Sequence, residues 1–141
     1  ICIGDLVRWG EALLEVSQPC LPDYRLAQRW NLAELPPLLQ DSGRCGWFYR
    51  VRRPGLIDTR APLQLVQRHY PELSVARLLA WFVHEPLRRS ALRQMLACDA
   101  LGSEWRRIAA RRLASGELED WQPRLYGRAS AQPAAEGADH A

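Results

Sequence analysis

The feature that most constrains this chain is a change of hydrophobic period near Pro71. Before it, apolar and polar residues tend to alternate, the two-residue period of strands half buried on a sheet. After it, apolar residues recur at three and four, the period of an amphipathic helix. Strands followed by helices, rather than interleaved with them, specify an α+β fold. In the first half, Leu6, Val7 and Trp9 lead into Gly10-Glu11, and residues 12–16 return. Glycine at the first position of a two-residue loop suits a type II′ hairpin. Trp47, Phe48, Tyr49 and Val51 predict a further strand closed by Pro54-Gly55, and residues 63–66 another. The aromatics at 47–49 alternate as core or barrel-wall residues do. Between these, Asn31 with Glu34 three residues on reads as an N-cap, predicting a short helix to about Gln40 that Gly43 ends. Pro36 and Pro37 weaken that helix beyond its first turn. Residues 1–67 are therefore expected to hold four or five strands and one helix.

Three helices follow over residues 68–116. Ser74 caps one carrying Val75, Leu78, Leu79 and Phe82. Leu92, Met95 and Leu96 mark the second, and Trp105, Ile108, Ala109 and Leu113 the third behind Ser103. Residues 117–128 form a C-terminal extension, and the Ala-, Gly-, Pro- and Ser-rich residues 129–141 are expected to be disordered. Ile1 runs straight into strand-like sequence, which reads as a truncated start.

Composition narrows the functions. No apolar run approaches the roughly 18–20 residues that span a bilayer, and no secretory h-region opens the chain, so a cytoplasmic protein is expected. All 19 basic residues are Arg, yet the net charge of +3 is too small to argue for nucleic acid by itself. Four cysteines without a CxxC pair argue against zinc and against a disulfide framework. Cys2, Cys45 and Cys98 read as small buried hydrophobes. Cys20 differs, because Gln18-Pro19-Cys20-Leu21-Pro22-Asp23 holds two prolines that stiffen a loop and aim its side chains. His69 and His84 sit in no nucleophile pattern and read as structural or surface residues. Arg106, Arg107, Arg111 and Arg112 predict a basic face on the third helix: a solvated face, or a dock for an acidic electron donor or nucleic acid.

Gly4-Asp5, Arg8-Trp9-Gly10-Glu11-Ala12-Leu13 and Val16-Ser17-Gln18-Pro19 resemble the MOSC domain of YiiM-type proteins. Ser42-Gly43-Arg44-Cys45-Gly46-Trp47 and Arg53-Pro54-Gly55 continue the match in order, and Arg124-Leu125-Tyr126-Gly127 resembles the family's C-terminal signature. The resemblance implies the C-terminal part of a MOSC-type β-barrel followed by a small three-helix domain. It implies a molybdenum-pterin cofactor, reduction of N-hydroxylated compounds such as hydroxylaminopurines, and a separate electron-donating reductase. In the family a loop cysteine in a Ser-Gln-Pro-Arg-x-Pro-Cys-x-Lys-Leu pattern is the metal's thiolate. Here Asp23 stands at that cysteine, Cys20 at the arginine and Arg25 at the lysine. The family's upstream barrel half, with its Gly-Glu-Asn segment, has no counterpart in these residues.

Three readings of the loop stay open. Asp23 is an oxygen ligand to molybdenum, or Cys20 is a thiolate ligand whose pKa Arg25 or Arg29 lowers, or the site is degenerate and Asp23 is a solvated loop residue. Arg25 either contacts the cofactor's phosphate or pairs with Asp23 or Glu34. Tyr24 and Trp30 either wall the pocket or belong to the core. The leading function is a molybdenum-cofactor reductase. Its rivals are a non-catalytic relative that binds cofactor or a sulfur species, and, least favoured, an arginine-rich nucleic-acid module. A partial barrel exposes strand edges, so the chain alone is expected to be poorly soluble or to self-associate, for instance as a homodimer.

Overall fold

The computed structural model describes residues 1–127; the tail read as disordered, 129–141, lies outside them. The element order is β1 (Leu6–Trp9), β2 (Ala12–Pro19), α1 (Tyr24–Trp30), α2 (Leu35–Ser42), β3 (Trp47–Arg53), β4 (Gln64–Gln67), α3 (Val75–His84), α4 (Arg89–Ala97), α5 (Ser103–Ser115) and α6 (Gln122–Tyr126). The fold is α+β, with four strands in one antiparallel sheet of order β3-β2-β1-β4. No helix among the described residues is long and apolar enough to cross a membrane.

The β1–β2 hairpin pairs Trp9 with Ala12 across Gly10-Glu11. Of these two loop residues only Gly10 has a positive φ, +58°, as a II′ turn requires. A side chain at Gly10 would also meet the Leu56 carbonyl oxygen at 2.5 Å. β2 pairs with β3 through two register shifts, between Leu13 and Leu14 and between Val16 and Gln18. Such bulges strengthen the twist of a strand and redirect the chain that leaves it.

The region between the hairpin and β3 departs from expectation. Asn31 does not begin a helix; it ends one, as the left-handed C-cap (φ 51°) of α1, an element absent from the sequence reading. Asparagine tolerates this conformation almost as glycine does, and that competes with its N-capping role. α2 then starts at Leu35, with Pro36 and Pro37 in its opening turn, where a missing N–H is harmless. Gly43 closes α2 as expected. In the helical half, Ser74 accepts the Arg77 amide at 3.1 Å and caps α3. Ser103, expected as a cap, is instead the first residue of α5, and Gly102 precedes it as the cap. The Gly102 amide donates to the Ser17 carbonyl at 3.0 Å, an approach so close that an added Cβ would lie 1.9 Å from Gln18 Oε1.

One core joins the two halves. Ile3 and Val16 from the sheet side pack with Leu78, Phe82, Met95 and Trp105 from the three helices. Of the strand aromatics, Tyr49 packs against this core, whereas Trp47 and Phe48 are exposed. Among the described residues both sheet edges are unpaired, and they carry Phe48, Val51, Leu65 and Val66 in the open. An unpaired edge with exposed apolar side chains is a template for another strand. The chain alone is therefore expected to elute above monomer mass and to scatter light increasingly with concentration. A sharp monomer peak across that range would contradict this.

Arg112 corrects the expected basic face of α5: it is 1% exposed. It follows Trp105 and Ala109 at helical spacing, so its stem lies on the buried stripe. Its guanidinium lies 4.0 Å from the centroid of Phe82 and 5.9 Å from that of Trp121. It donates from Nε to Glu119 Oε2 at 3.0 Å, from Nη2 to Glu119 Oε1, and from Nη1 to the Phe82 carbonyl at 3.1 Å. Burial alone would raise the Glu119 carboxyl, but hydrogen bonds from Arg112 and Trp121 outweigh it and hold its pKa down at about 2. Breaking a buried pair strands a charge, so Glu119→Gln is expected to lower unfolding stability by about 3 kcal/mol, read by denaturant titration. Because the folded pKa lies below the ordinary value of 4.5, the pair's contribution is complete above about pH 4.5 and falls away toward pH 2. Over that interval the variant's stability should decline less steeply with acid than the parent's.

Candidate functional site

The backbone that leaves β2 is stiffened by two prolines, at 19 and 22. The Cys20 amide donates to the Gly46 carbonyl at 2.8 Å, extending the β2–β3 ladder by one step beyond Pro19–Trp47. This step brings the chain around Cys45 against the loop. The result is a cleft of about 430 Å³ lined on one side by Cys20, Leu21 and Asp23, on another by Arg25 and Arg29 of α1, and on a third by Leu39, Arg44 and Cys45.

Cys45, expected as an inert buried hydrophobe, is thus partly buried in the same cleft as Cys20. The sequence showed both cysteines but not the pairing that joins them. Cys45 Sγ donates to the Leu39 carbonyl at 3.4 Å, whereas Cys20 Sγ has no hydrogen-bond partner among the described residues. Burial pushes the Cys20 thiol up, and the Asp23 carboxylate pushes it the same way. The lowering expected from Arg25 or Arg29 is not found, because Asp23 claims Arg25. Burial likewise raises the Cys45 thiol. Cys2 and Cys98 are buried, as expected of them.

Asp23 is the N-cap of α1 and accepts the Arg25 amide at 2.9 Å. Arg25 Nε donates to Asp23 Oδ1 at 3.1 Å and Oδ2 at 2.9 Å, and Nη2 also donates to Oδ2. The Arg25 hydrogen bonds hold the Asp23 carboxyl below the usual carboxylate range. Both oxygens are therefore committed within the chain, and the pairing of Arg25 with Asp23 is the one the structure adopts. By contrast, the guanidiniums of Arg29 and Arg44 have no hydrogen-bond partner among the described residues and sit on the cleft rim. Tyr24 and Trp30 do not line this cleft: Trp30 is 67% exposed, and Tyr24 borders a separate hollow with Gln28 and Tyr126. His84 is exposed, 3.2 Å from the Asp41 carbonyl oxygen, and His69 borders a polar hollow with Arg50, Arg52 and Glu15.

Among the described residues no three His, Cys, Asp or Glu side chains converge to hold a metal by themselves. A metal in the cleft therefore has to bring most of its own ligands. A soft thiol beside cationic arginines suits an anionic cofactor that carries sulfur ligands and a phosphate.

Comparison with known proteins places these features. Residues 1–64 match the MOSC domain and residues 73–116 the YiiM-like 3-alpha helix domain, so the fold is a MOSC sheet with its three-helix appendage. The chain belongs to the YiiM-type MOSC proteins. It is 37% identical over 130 residues to Protein YiiM of Escherichia coli (strain K12), covering 91% of this chain and 57% of that protein's length. The crystal structure of YiiM from Escherichia coli superimposes with a TM-score of 0.86 at 36% identity, covering 90% of this chain and 63% of that one. A protein named reductase from Gibberella moniliformis is 37% identical over 76 residues, which is 53% of this chain and 14% of that protein.

The capping role of Asp23 is separable from its charge. Asp23→Asn keeps a side-chain acceptor, while Asp23→Ala removes it and is expected to lower stability by about 1 kcal/mol more than Asn does, measured by denaturant titration.

Proposed function

We propose that the cleft at the end of β2 binds a molybdenum-pterin cofactor and that the protein reduces N-hydroxylated compounds, hydroxylaminopurines among them. The observation that carries this reading is the convergence on one cleft, in a MOSC chain, of the Cys20 thiol and the Arg29 and Arg44 guanidiniums, none with a side-chain partner among the described residues. The distant relative named a reductase supports the reaction class. When bound, the cofactor supplies the two-electron couple that, with two protons, converts an N–OH group into N–H and water. The chain's own residues have three tasks. Cys20 would hold the metal of such a cofactor through its sulfur, in the deprotonated form. Arg29 and Arg44 take the phosphate, as planar donors matched to its oxygens. Leu21, Leu26 and Leu39 line the cleft and reduce its water. Electrons come from a separate reductase.

This reading prefers Cys20 to Asp23 as ligand, since Asp23 must release Arg25 before it meets a metal. The same geometry favours a second reading, a non-catalytic relative, because Asp23 is fully occupied and burial keeps the thiols protonated. Molybdenum and pterin content separates them. The protein is purified from a cofactor-competent host in its natural sequence context, beside Cys20→Ala and Asp23→Asn. Near-stoichiometric metal is expected in the parent and in Asp23→Asn, with loss in Cys20→Ala. Loss in Asp23→Asn alone would make Asp23 the ligand. An empty parent protein would leave the non-catalytic reading.

A further inference from the structure

The segment after α5 crosses from the helical half to the back of the cleft. It is fastened first at Glu119, which accepts from Arg112, and at Trp121, whose ring stacks on Phe82 at 5.9 Å and 15°. From there α6 places Arg124 behind the loop. Arg124 Nη1 donates to the Pro22 carbonyl at 2.6 Å, and Nη2 donates to Gln40 Oε1. Pro22 and Gln40 are both buried, so each acceptor depends on this donor rather than on water. Pro22 belongs to the loop that carries Cys20 and Asp23; Gln40 follows Leu39, whose carbonyl receives the Cys45 thiol. Arg124 itself does not line the cleft. One guanidinium thus bridges two of its walls from outside.

We propose that Arg124 is a positioning residue that sets the separation of the Cys20–Asp23 loop from the α2–Cys45 wall, and thereby the shape of the cleft. It acts across 102 residues of sequence. The task calls for arginine, because a rigid planar fork serves two acceptors at once while an ammonium serves such a pair poorly. The proposal deepens the cofactor reading and rests on the cleft being a ligand site, but its geometry is testable without ligand.

The test is iodoacetamide labelling of each cysteine at one fixed pH, quantified by peptide mass spectrometry on the full chain. Parent, Arg124→Ala and Arg124→Lys are compared. Cys45 reports on the cleft, and buried Cys2 and Cys98 report on global unfolding. Loss of a donor to a buried acceptor shifts a local opening equilibrium by about tenfold to a hundredfold, and Cys45 labelling in Arg124→Ala should rise by that factor. Cys2 and Cys98 should keep the parent rate, and Arg124→Lys should recover part of the protection. Unchanged Cys45 labelling overturns the proposal. So does a rise only in step with Cys2 and Cys98, which would make Arg124 a general stabiliser. Metal and pterin content on the same samples keeps the two readings apart: a Cys45-specific change in protein that never holds cofactor retains the positioning role and removes the cofactor reading.

Discussion

A guanidinium buried in the helical half fastens the segment that follows α5. Arg112 sits where the apolar stripe of α5 calls for a hydrophobe, and it is tolerated because every face is engaged. Phe82 and Trp121 cover its plane, Glu119 takes two donors, and a backbone carbonyl takes a third. A charge this deep is stable only when paired and hydrogen-bonded. The partner it requires lies beyond α5, so the pair fixes the path of the C-terminal segment. That path ends at Arg124, against the loop that carries Cys20 and Asp23. Helical-domain packing and cleft geometry are in this way one continuous arrangement.

The cleft owes its chemistry to competition for charge. Asp23 and Arg25, two residues apart, satisfy one another, which removes both from the simplest ligand-binding roles. What remains is a thiol pushed up by burial and two arginines without acid partners among the described residues. A neutral thiol in a partly apolar cleft is a poor nucleophile but a ready soft ligand, because a metal displaces its proton. The loop thus presents one sulfur, Cys20, three residues before Asp23.

Much of the fold was legible in local sequence. Period-two alternation and the Gly10-Glu11 turn gave the hairpin, and the stripe through Leu78, Leu79 and Phe82 gave α3 with its Ser74 cap. The failures arose where one residue type serves two local roles. Asn31 caps a C-terminus rather than an N-terminus, and Pro36 and Pro37 open α2 rather than interrupt it. The site was half legible. Two prolines marked its loop, and the family pattern marked Cys20, Asp23 and Arg25. Cys45, Arg44 and Arg124 were visible as residues but not as neighbours. One cue was available for Arg112, whose spacing from Trp105 and Ala109 puts it on the buried stripe.

The sequence alone determined the α+β class, the three-helix unit after the strand-bearing half and the family, because these depend on periodicity and on motifs in fixed order. Tertiary structure decided which charges are paired, which two thiols share the cleft and which distant arginine braces the loop. The Asp23–Arg25 pair is local, but the Arg112–Glu119 pair and the Arg124 brace join residues 7 and 102 positions apart, brought together by the docking of the last segment.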